Sequence, residues 1–170
     1  MNAIPEIINN YNVYKDGTKL IGISAEVTIP DFEAVTETIS GAGILGEYDA
    51  VNAGQFSAQE IEIPFRVLYG DIFELFGGQT ANITLRCAEQ ISDGSGQKTP
   101  VGVRIILQGA PKKLTGGTLT AGKPTNSAVT LALTYIKIEV DGSTAVELDK
   151  LNGIYVVNGV DMLSAINSLI

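Results

Sequence analysis

The sequence predicts an α+β domain built mainly from antiparallel β-strands, a barrel or sandwich subunit with one or two short helices and one long extended loop. Three observations predict it. Apolar residues recur with period two over most of the chain. Asp16-Gly17 and Asp141-Gly142 supply hairpin turns between such runs. Helical spacing is confined to two short stretches. The 170 residues suit a single domain over 1–170 with a substantial core.

Asp16-Gly17 joins NYNVYK to TKLIGI. In KLIGISAEVTIP, residues 19–30, Ile21, Ile23, Ala25, Val27 and Ile29 share one face and Gly22, Ser24, Glu26 and Thr28 the other, which reads as a half-buried strand. QEIEIPFRVL sets Ile61, Ile63, Phe65 and Val67 against Glu60, Glu62, Pro64 and Arg66, and the proline marks an irregularity or an unpaired backbone position. TANITLRCA alternates through Ala81, Ile83, Leu85 and Cys87, and VGVRIILQG through Val101, Val103, Ile105 and Leu107, with SDGSGQ as the turn between them.

SAVTLALTYIKIEVDG runs apolar at Val129, Leu131, Leu133 and Tyr135, then shifts by one to Ile136, Ile138 and Val140. A one-residue phase change reverses the buried face, so it marks a bulge or a strand passing between sheets. Asp141-Gly142 then turns the chain into TAVELD. LYGDIFELFGG puts Leu68, Ile72, Leu75 and Phe76 on one helical stripe and stops at Gly77-Gly78. NGVDMLSAINSLI predicts a final helix with Val160, Leu163, Ile166 and Ile170 together and Asn158 or Asp161 as its cap.

The stretch TETISGAGILGEYDAVNAGQF, residues 36–56, fits none of these patterns. It has four glycines, three acids, no base, and isolated Ile39, Ile44, Leu45 and Val51 with no regular period. A loop this long in a compact domain is unusual. It reads as a segment whose packing is completed on another subunit.

Composition removes most chemistry. A 45% hydrophobic and 18% charged composition predicts a folded chain. There is no histidine and only one cysteine, so the usual zinc sites, Cys-His and Ser-His catalysis and an intrachain disulfide are excluded. Cys87 reads as core packing, and a single cysteine fits folding in a cytoplasm. The polar start MNAIPEIINN does not resemble a secretory signal, and no run approaches a membrane span.

GAGILG lacks dinucleotide-binding spacing, and no phosphate loop is present. Glu60 and Glu62 on one strand face are a wet side rather than a glycosidase pair, and Asp31, Glu33 and Glu37 form a solvated loop rather than a calcium site. No catalytic, cofactor-binding or metal residue is expected, and no enzyme. The net charge of −8, with eleven scattered Lys and Arg, argues against gripping DNA but not against DNA passing nearby. A monomeric β-sandwich recognising a glycan or cell surface is the competing reading, weakened by the absence of tryptophan.

The carboxy-terminal segment YIKIEVDGSTAVELDKLNGIYVVNGVDMLSAINSLI resembles the end of the major tail tube proteins of contractile-tailed bacteriophages and the tubes of R-type bacteriocins. The carriers are Tyr135, Lys137, Glu139 to Gly142, Glu147 to Asp149 and Asn158 to Asp161. Asn12 to Gly17 and VTIPDFE resemble the family's first strand and turn and the end of its second. The Gly-Ala-Gly at 41–43 sits where that family has a glycine-rich segment, although Asp31 and Ile39-Ser40 stand where it often has lysine and arginine.

The resemblance implies self-assembly into hexameric rings that share an inner β-barrel and stack into a tube, within a virion tail or bacteriocin particle made in the host cytoplasm. Implied partners are other copies of the chain, a sheath protein, and baseplate and tail-terminator proteins; DNA would pass without specific binding, and this chain would not enter a membrane. Residues 36–57 would be the contact between subunits or rings, through Ile39, Gly41, Gly43, Ile44, Leu45, Tyr48 and Val51. The barrel strands would be roughly 19–30, 58–68, 100–111 and 125–138. Their polar faces, carrying Ser24, Glu26, Thr28, Glu60, Glu62, Arg66, Arg104, Gln108, Thr130 and Thr134, would line the channel.

Overall fold

The computed structural model describes residues 3–24 and 26–170. The element order is β1 (Ile4–Lys15), β2 (Thr18–Lys19), β3 (Ala34–Ser40), β4 (Glu47–Phe56), β5 (Glu60–Phe65), α1 (Gly70–Gly77), β6 (Ala81–Ser92), β7 (Lys98–Thr115), β8 (Ser127–Val140), β9 (Ser143–Asp149), β10 (Ile154–Val157), β11 (Val160–Asp161) and α2 (Ser164–Asn167). Strands β11-β10-β9-β8-β7-β6-β1-β2 form one antiparallel sheet in that order, β5 adds to β8, and β3-β4 stand apart as a two-stranded ribbon.

Residues 18–24 close this sheet into a barrel. Thr18 and Lys19 pair with β1, and the Leu20 amide donates to the Val13 carbonyl at 2.8 Å. At Gly22 the backbone takes a left-handed φ of +86°, which glycine adopts without penalty, and the chain crosses to β5. There the Arg66 amide donates to the Gly22 carbonyl at 2.9 Å and the Ser24 amide to the Pro64 carbonyl at 3.0 Å. In an antiparallel strand the N–H and C=O of one residue point the same way. The Pro64 nitrogen therefore faces away from β8, and the proline costs that ladder no hydrogen bond.

Inside lies one core. Ile61, Ile63 and Phe65 of β5 meet Ile83 of β6, Leu107 of β7 and Val129 and Leu131 of β8, all fully buried. Helix α1 plugs the barrel with Ile72 and Leu75, while its other two stripe residues, Leu68 and Phe76, stay exposed. The phase change in β8 is a bulge. Gln108 pairs with Tyr135 and Gly109 with Leu133, leaving Thr134 extra. The bulge also marks a change of partner, because residues 127–132 pair with β5 and residues 135–140 with β9.

Three sequence expectations are corrected. Residues 19–30 are not a continuous strand. Among the described residues beyond Lys19, only an isolated bridge, Ile23 to Phe65, remains. The kink at Gly22 reverses the face, so Leu20 is buried while Ile21 is 76% exposed. Val27 packs against the core, Ile29 is exposed, and Ala25 lies outside the described residues.

Residues 36–56 are not an irregular loop but the β3-β4 hairpin, turned by residues 41–46. The final helix does not begin at Asn158. Asn158 and Gly159 have φ of +48° and +78°, making a hairpin turn between β10 and β11, and the four-residue α2 buries none of its side chains. Val160, Ile166 and Ile170 are accordingly exposed rather than packed as a stripe.

Candidate assembly surfaces

Two surfaces gather the residues singled out from sequence. The first is the β3-β4 arm. Its register places Ile39 beside Tyr48 and Glu37 beside Ala50 on one face, and Ser40 beside Glu47, Thr38 beside Asp49 and Thr36 beside Val51 on the other. One face is thus largely apolar and the other largely polar. Ile39 and Ala50 are half-buried, whereas Ile44, Tyr48 and Val51 are exposed and Leu45 at the tip is fully so. In the turn, Gly43 and Gly46 hold φ of +91° and +96°, which side-chain-bearing residues resist. A Cβ on Gly41 or Gly43 would meet only open space on this chain.

The arm is firmly rooted despite its bare tip. Phe56 stacks edge-on with Phe32 at 5.9 Å and with Tyr155 of β10 at 5.0 Å between ring centres. Gly54, at φ +75°, lies so close beneath Leu163 that a Cβ there would sit 2.4 Å from Leu163 Cδ2. Lys150 Nζ donates to the Ser57 carbonyl at 3.0 Å, and burial lowers its pKa. Asp149, one residue earlier, folds the β9-β10 turn by accepting from the Asn152 side chain at 2.7 Å and from the Asn152 and Leu151 amides. Those hydrogen bonds hold its carboxyl below the usual range. Alternation in sequence could not reveal this root, since its members come from four separate stretches.

The second surface is the polar face of the large sheet. Residues directly opposite in an antiparallel pair point the same way. By register Glu60 shares a side with Ala132 and Ala110, and Glu62 with Thr130 and Lys113. Across the bulge the face continues through Gln108, Tyr135, Arg104, Lys137 and Glu139. The structure therefore brings Glu60, Glu62, Arg104, Gln108, Thr130 and Thr134 together on one side of the sheet.

Thr130 is only 6% exposed, so on the lone chain it contributes little surface. Thr134 is the bulge residue and donates to the Gln108 carbonyl at 3.4 Å. Arg66 extends the Glu60, Glu62 alternation beyond the end of β5 and is exposed. Ser24, Glu26 and Thr28 border this face, lining with Glu62 and Pro64 a cleft of about 400 Å³.

Several charges on this face are paired, whereas Glu62, Arg66 and Lys113 form no ion pair among the described residues. Lys112 Nζ contacts Glu60 Oε2 at 2.6 Å between two well-exposed side chains. Arg104 Nε donates to Glu139 Oε2 at 2.6 Å, and Lys137 Nζ reaches Glu139 Oε1 at 3.2 Å. Burial would raise the Glu139 pKa, but the hydrogen bonds and charges of Arg104 and Lys137 outweigh it and leave the carboxyl lowered. Burial, reinforced by its hydrogen bond to Glu147 at 2.9 Å, pushes the Tyr135 hydroxyl up to about 12. Lys112, Lys137 and Glu139 were missed among the face residues. For the last two the signal was present, because after the phase change they share parity with Tyr135. Cys87 is half-buried against Tyr11 and Val103, and burial raises its thiol pKa, which suits packing rather than reactivity.

The chain thus presents a rooted arm with uncovered apolar residues, carried by a closed barrel with a polar sheet face. Comparison with known proteins gives the family. A family profile described as phage tail tube protein FII matches residues 5–170. The chain belongs to this tail tube family. The tail tube protein of Escherichia phage P2 is 28% identical over 166 residues, covering 95% of this chain and 94% of that protein. The major tail tube protein of Serratia phage KSP20 is 28% identical over 161 residues, covering 94% and 92%.

Among solved structures, the fold is shared with a chain from the PVC sheath/tube terminator of an extracellular contractile injection system, at TM-score 0.56 and 14% identity, covering 80% of this chain and 97% of the other. A chain of the PVC sheath-tube complex matches at TM-score 0.53 and 14% identity, covering 79% and 91%.

Proposed function

We propose that this chain is the building unit of the hollow inner tube of a contractile tail, assembling into hexameric rings that stack along an axis. The observation that carries this reading is the β3-β4 arm, which leaves Leu45, Tyr48 and Val51 uncovered in a tail tube family member whose body is otherwise closed. Ile39, Gly41, Gly43, Ile44, Leu45, Tyr48 and Val51 form the contact with a neighbouring subunit or ring. Burial of those apolar side chains supplies the driving force, at about 25 cal/mol per Å² removed from water.

The polar sheet face lines the channel. Of the face residues named above together with Glu26, the four acids Glu26, Glu60, Glu62 and Glu139 meet the five bases Arg66, Arg104, Lys112, Lys113 and Lys137, a formal balance of +1, with Arg104, Lys112 and Lys137 held in ion pairs to Glu139 and Glu60. Such a wall offers phosphates no continuous basic track, so DNA or ions pass without being held. A sheath wraps the outside, and baseplate and terminator proteins close the two ends. The particle is a virion tail or a bacteriocin, assembled in the host cytoplasm, and the role is structural rather than catalytic.

The test combines analytical ultracentrifugation with electron microscopy over a concentration series. Wild-type protein is expected to form rings and tubes. Replacing residues 38–49 by Asn-Gly, which caps the Glu37–Ala50 pair with a two-residue turn, should leave a folded subunit that forms no tubes. A wild-type chain that stays monomeric at every concentration, or a shortened one that still builds tubes, overturns the reading.

A further inference from the structure

Register defines a basic patch on the far side of the barrel from the glutamates of β5. Around the closed barrel the order is β5-β8-β7-β6-β1 and then residues 18–24, so β6 lies three steps from β5 by either route. Arg86 on β6 stands directly opposite Arg104 on β7 and Asn12 on β1, and Lys19 of β2 directly opposite Tyr14 of β1. Residues paired in this way point to the same side, as do Asn12 and Tyr14, two apart on one strand. Lys19, Arg86 and Arg104 are exposed and therefore share one face of β2, β1, β6 and β7. On a chain with 19 acids and 11 bases, this face holds acids only at its margins. Asp16 stands at one, accepting from the Asn82 side chain at 3.1 Å, and Glu6 at the other, accepting from Gln90.

Two of these charges lack a counter-ion. Arg104 is held by Glu139, whereas Lys19 and Arg86 form no ion pair among the described residues. Arg86 lies over the Tyr14 ring, 5.1 Å from its centre. Like charges directly opposite each other weaken an antiparallel ladder, so the Arg86–Arg104 pair is a cost that the lone chain leaves uncorrected on the Arg86 side. An incoming carboxylate would remove it. We propose that the Lys19–Arg86 patch receives the acidic face of the β3-β4 arm of a second copy of this chain.

The arm has the matching charge. Glu47 and Asp49 stand two residues apart on one of its faces, about 7 Å along the strand, opposite the small side chains of Ser40 and Thr38. Both acids are exposed and neither forms an ion pair among the described residues; Asp49 accepts from Thr38 Oγ1 at 2.9 Å. The arm's other face, with Ile39 and Tyr48, stays available for the apolar contact proposed above. Within one copy the two partners stand apart. Phe56 roots the arm on Tyr155, which register aligns with Leu148, Ile136, Leu107 and Ile83 on the core side of the sheet. Arg86 is on the reverse side, and four strand intervals, about 19 Å, separate β6 from β10. A contact between different surfaces of two copies is heterologous, and it repeats head to tail into a ring or a filament rather than closing as a symmetric dimer.

This inference rests on the tube reading, and a charge-swap experiment separates the two. Tube formation is measured by sedimentation and electron microscopy for wild type, for Lys19→Glu with Arg86→Glu, for Glu47→Lys with Asp49→Lys, and for all four together. Each one-sided reversal should raise the concentration needed for tubes by about tenfold or more, and the combined swap should restore much of the loss. Lys98→Glu with Lys123→Glu, which changes net charge equally elsewhere, should have little effect, and circular dichroism should show every variant folded. If the patch reversal weakens tubes but the arm reversal does not, the patch serves some other acidic partner and the assignment to the arm is overturned. It is also overturned, with the tube reading intact, if wild type forms tubes and both reversals match it, if the control pair is equally damaging, or if the combined swap rescues nothing. Absence of tubes from wild type overturns both.

Discussion

The barrel body and the β3-β4 arm are made of the same element, the antiparallel strand pair, yet they are stabilised in opposite ways. In the body, Ile63 on β5 is fully buried in the core; on the arm, Leu45 is fully exposed. The arm keeps its backbone ladder and an aromatic root at Phe56, but its side chains bury almost no area. An isolated two-stranded ribbon is marginal in water. Its persistence here depends on the clamp at Phe32, Phe56 and Tyr155 and, in the assembled state, on a neighbour. Strand geometry alone therefore does not say where a hydrophobic effect will be realised.

The largest effect should come from the body's closest backbone approach. A Cβ at Gly109 would lie 2.2 Å from the Ala132 carbonyl oxygen, at the bulge where β7 meets β8. Neither backbone can move without opening the barrel. Gly109→Ala should cost about 4 kcal/mol or more, seen as loss of a cooperative melt.

Next is a direct contrast between body and arm. Ile63→Ala should destabilise the subunit by about 3 kcal/mol in denaturant unfolding, whereas Leu45→Ala should shift it by less than about 0.5 kcal/mol yet impair tube assembly. Equal costs for the two would erase the distinction between regions.

The seam between the regions should respond less. Gly54→Ala meets Leu163 at 2.4 Å and a left-handed φ, so a loss of about 1–2 kcal/mol is expected. Adding Leu163→Ala should recover the steric part but not the backbone part, which a double-mutant cycle measures.

The smallest effect lies beneath the arm's root. Asp149→Ala removes the β9-β10 turn acceptor and should cost about 1 kcal/mol near neutral pH. Because the folded carboxyl is held below its unfolded value, this contribution is complete above about pH 4 and disappears as pH falls through the folded pKa. Wild type and variant should therefore converge in stability in acid, and a constant gap across that range would contradict the assignment.

Much of the body was legible because alternation is a local property. β5, β6, β7 and β8 all carry it, and the phase change after Tyr135 correctly marked the bulge and the change of partner. The Asp-Gly turns were equally clear, since Asp16, Gly17, Asp141 and Gly142 all take positive φ. Asn158-Gly159 carries the same signal, but the spacing of Val160, Leu163, Ile166 and Ile170 mimicked a helix and outweighed it. Residues 19–30 misled in another way. Their alternation is real, but a left-handed kink at Gly22 inverts it, and only Gly22 and Ser24 reach β5 through backbone hydrogen bonds at that end.

On the polar sheet face, Glu60, Glu62, Arg104 and Gln108 share one side because strand parity assigns a face. Their lysine partners, the arm's strand pairing and its aromatic root were not visible, since each joins residues far apart in the chain. Thr130 had the right parity and too little exposure, a matter of how closely neighbouring strands crowd it.

The sequence by itself determined an antiparallel β-body, its turns, the lack of histidine and of a second cysteine, and the acidic, apolar character of residues 36–56. These follow from side-chain period, backbone permissiveness and composition, all of which act over a few residues. Only the tertiary structure decided that residues 18–24 close the barrel and that residues 36–56 form a rooted hairpin. Those outcomes depend on which distant strands share hydrogen bonds, a competition that no local pattern resolves.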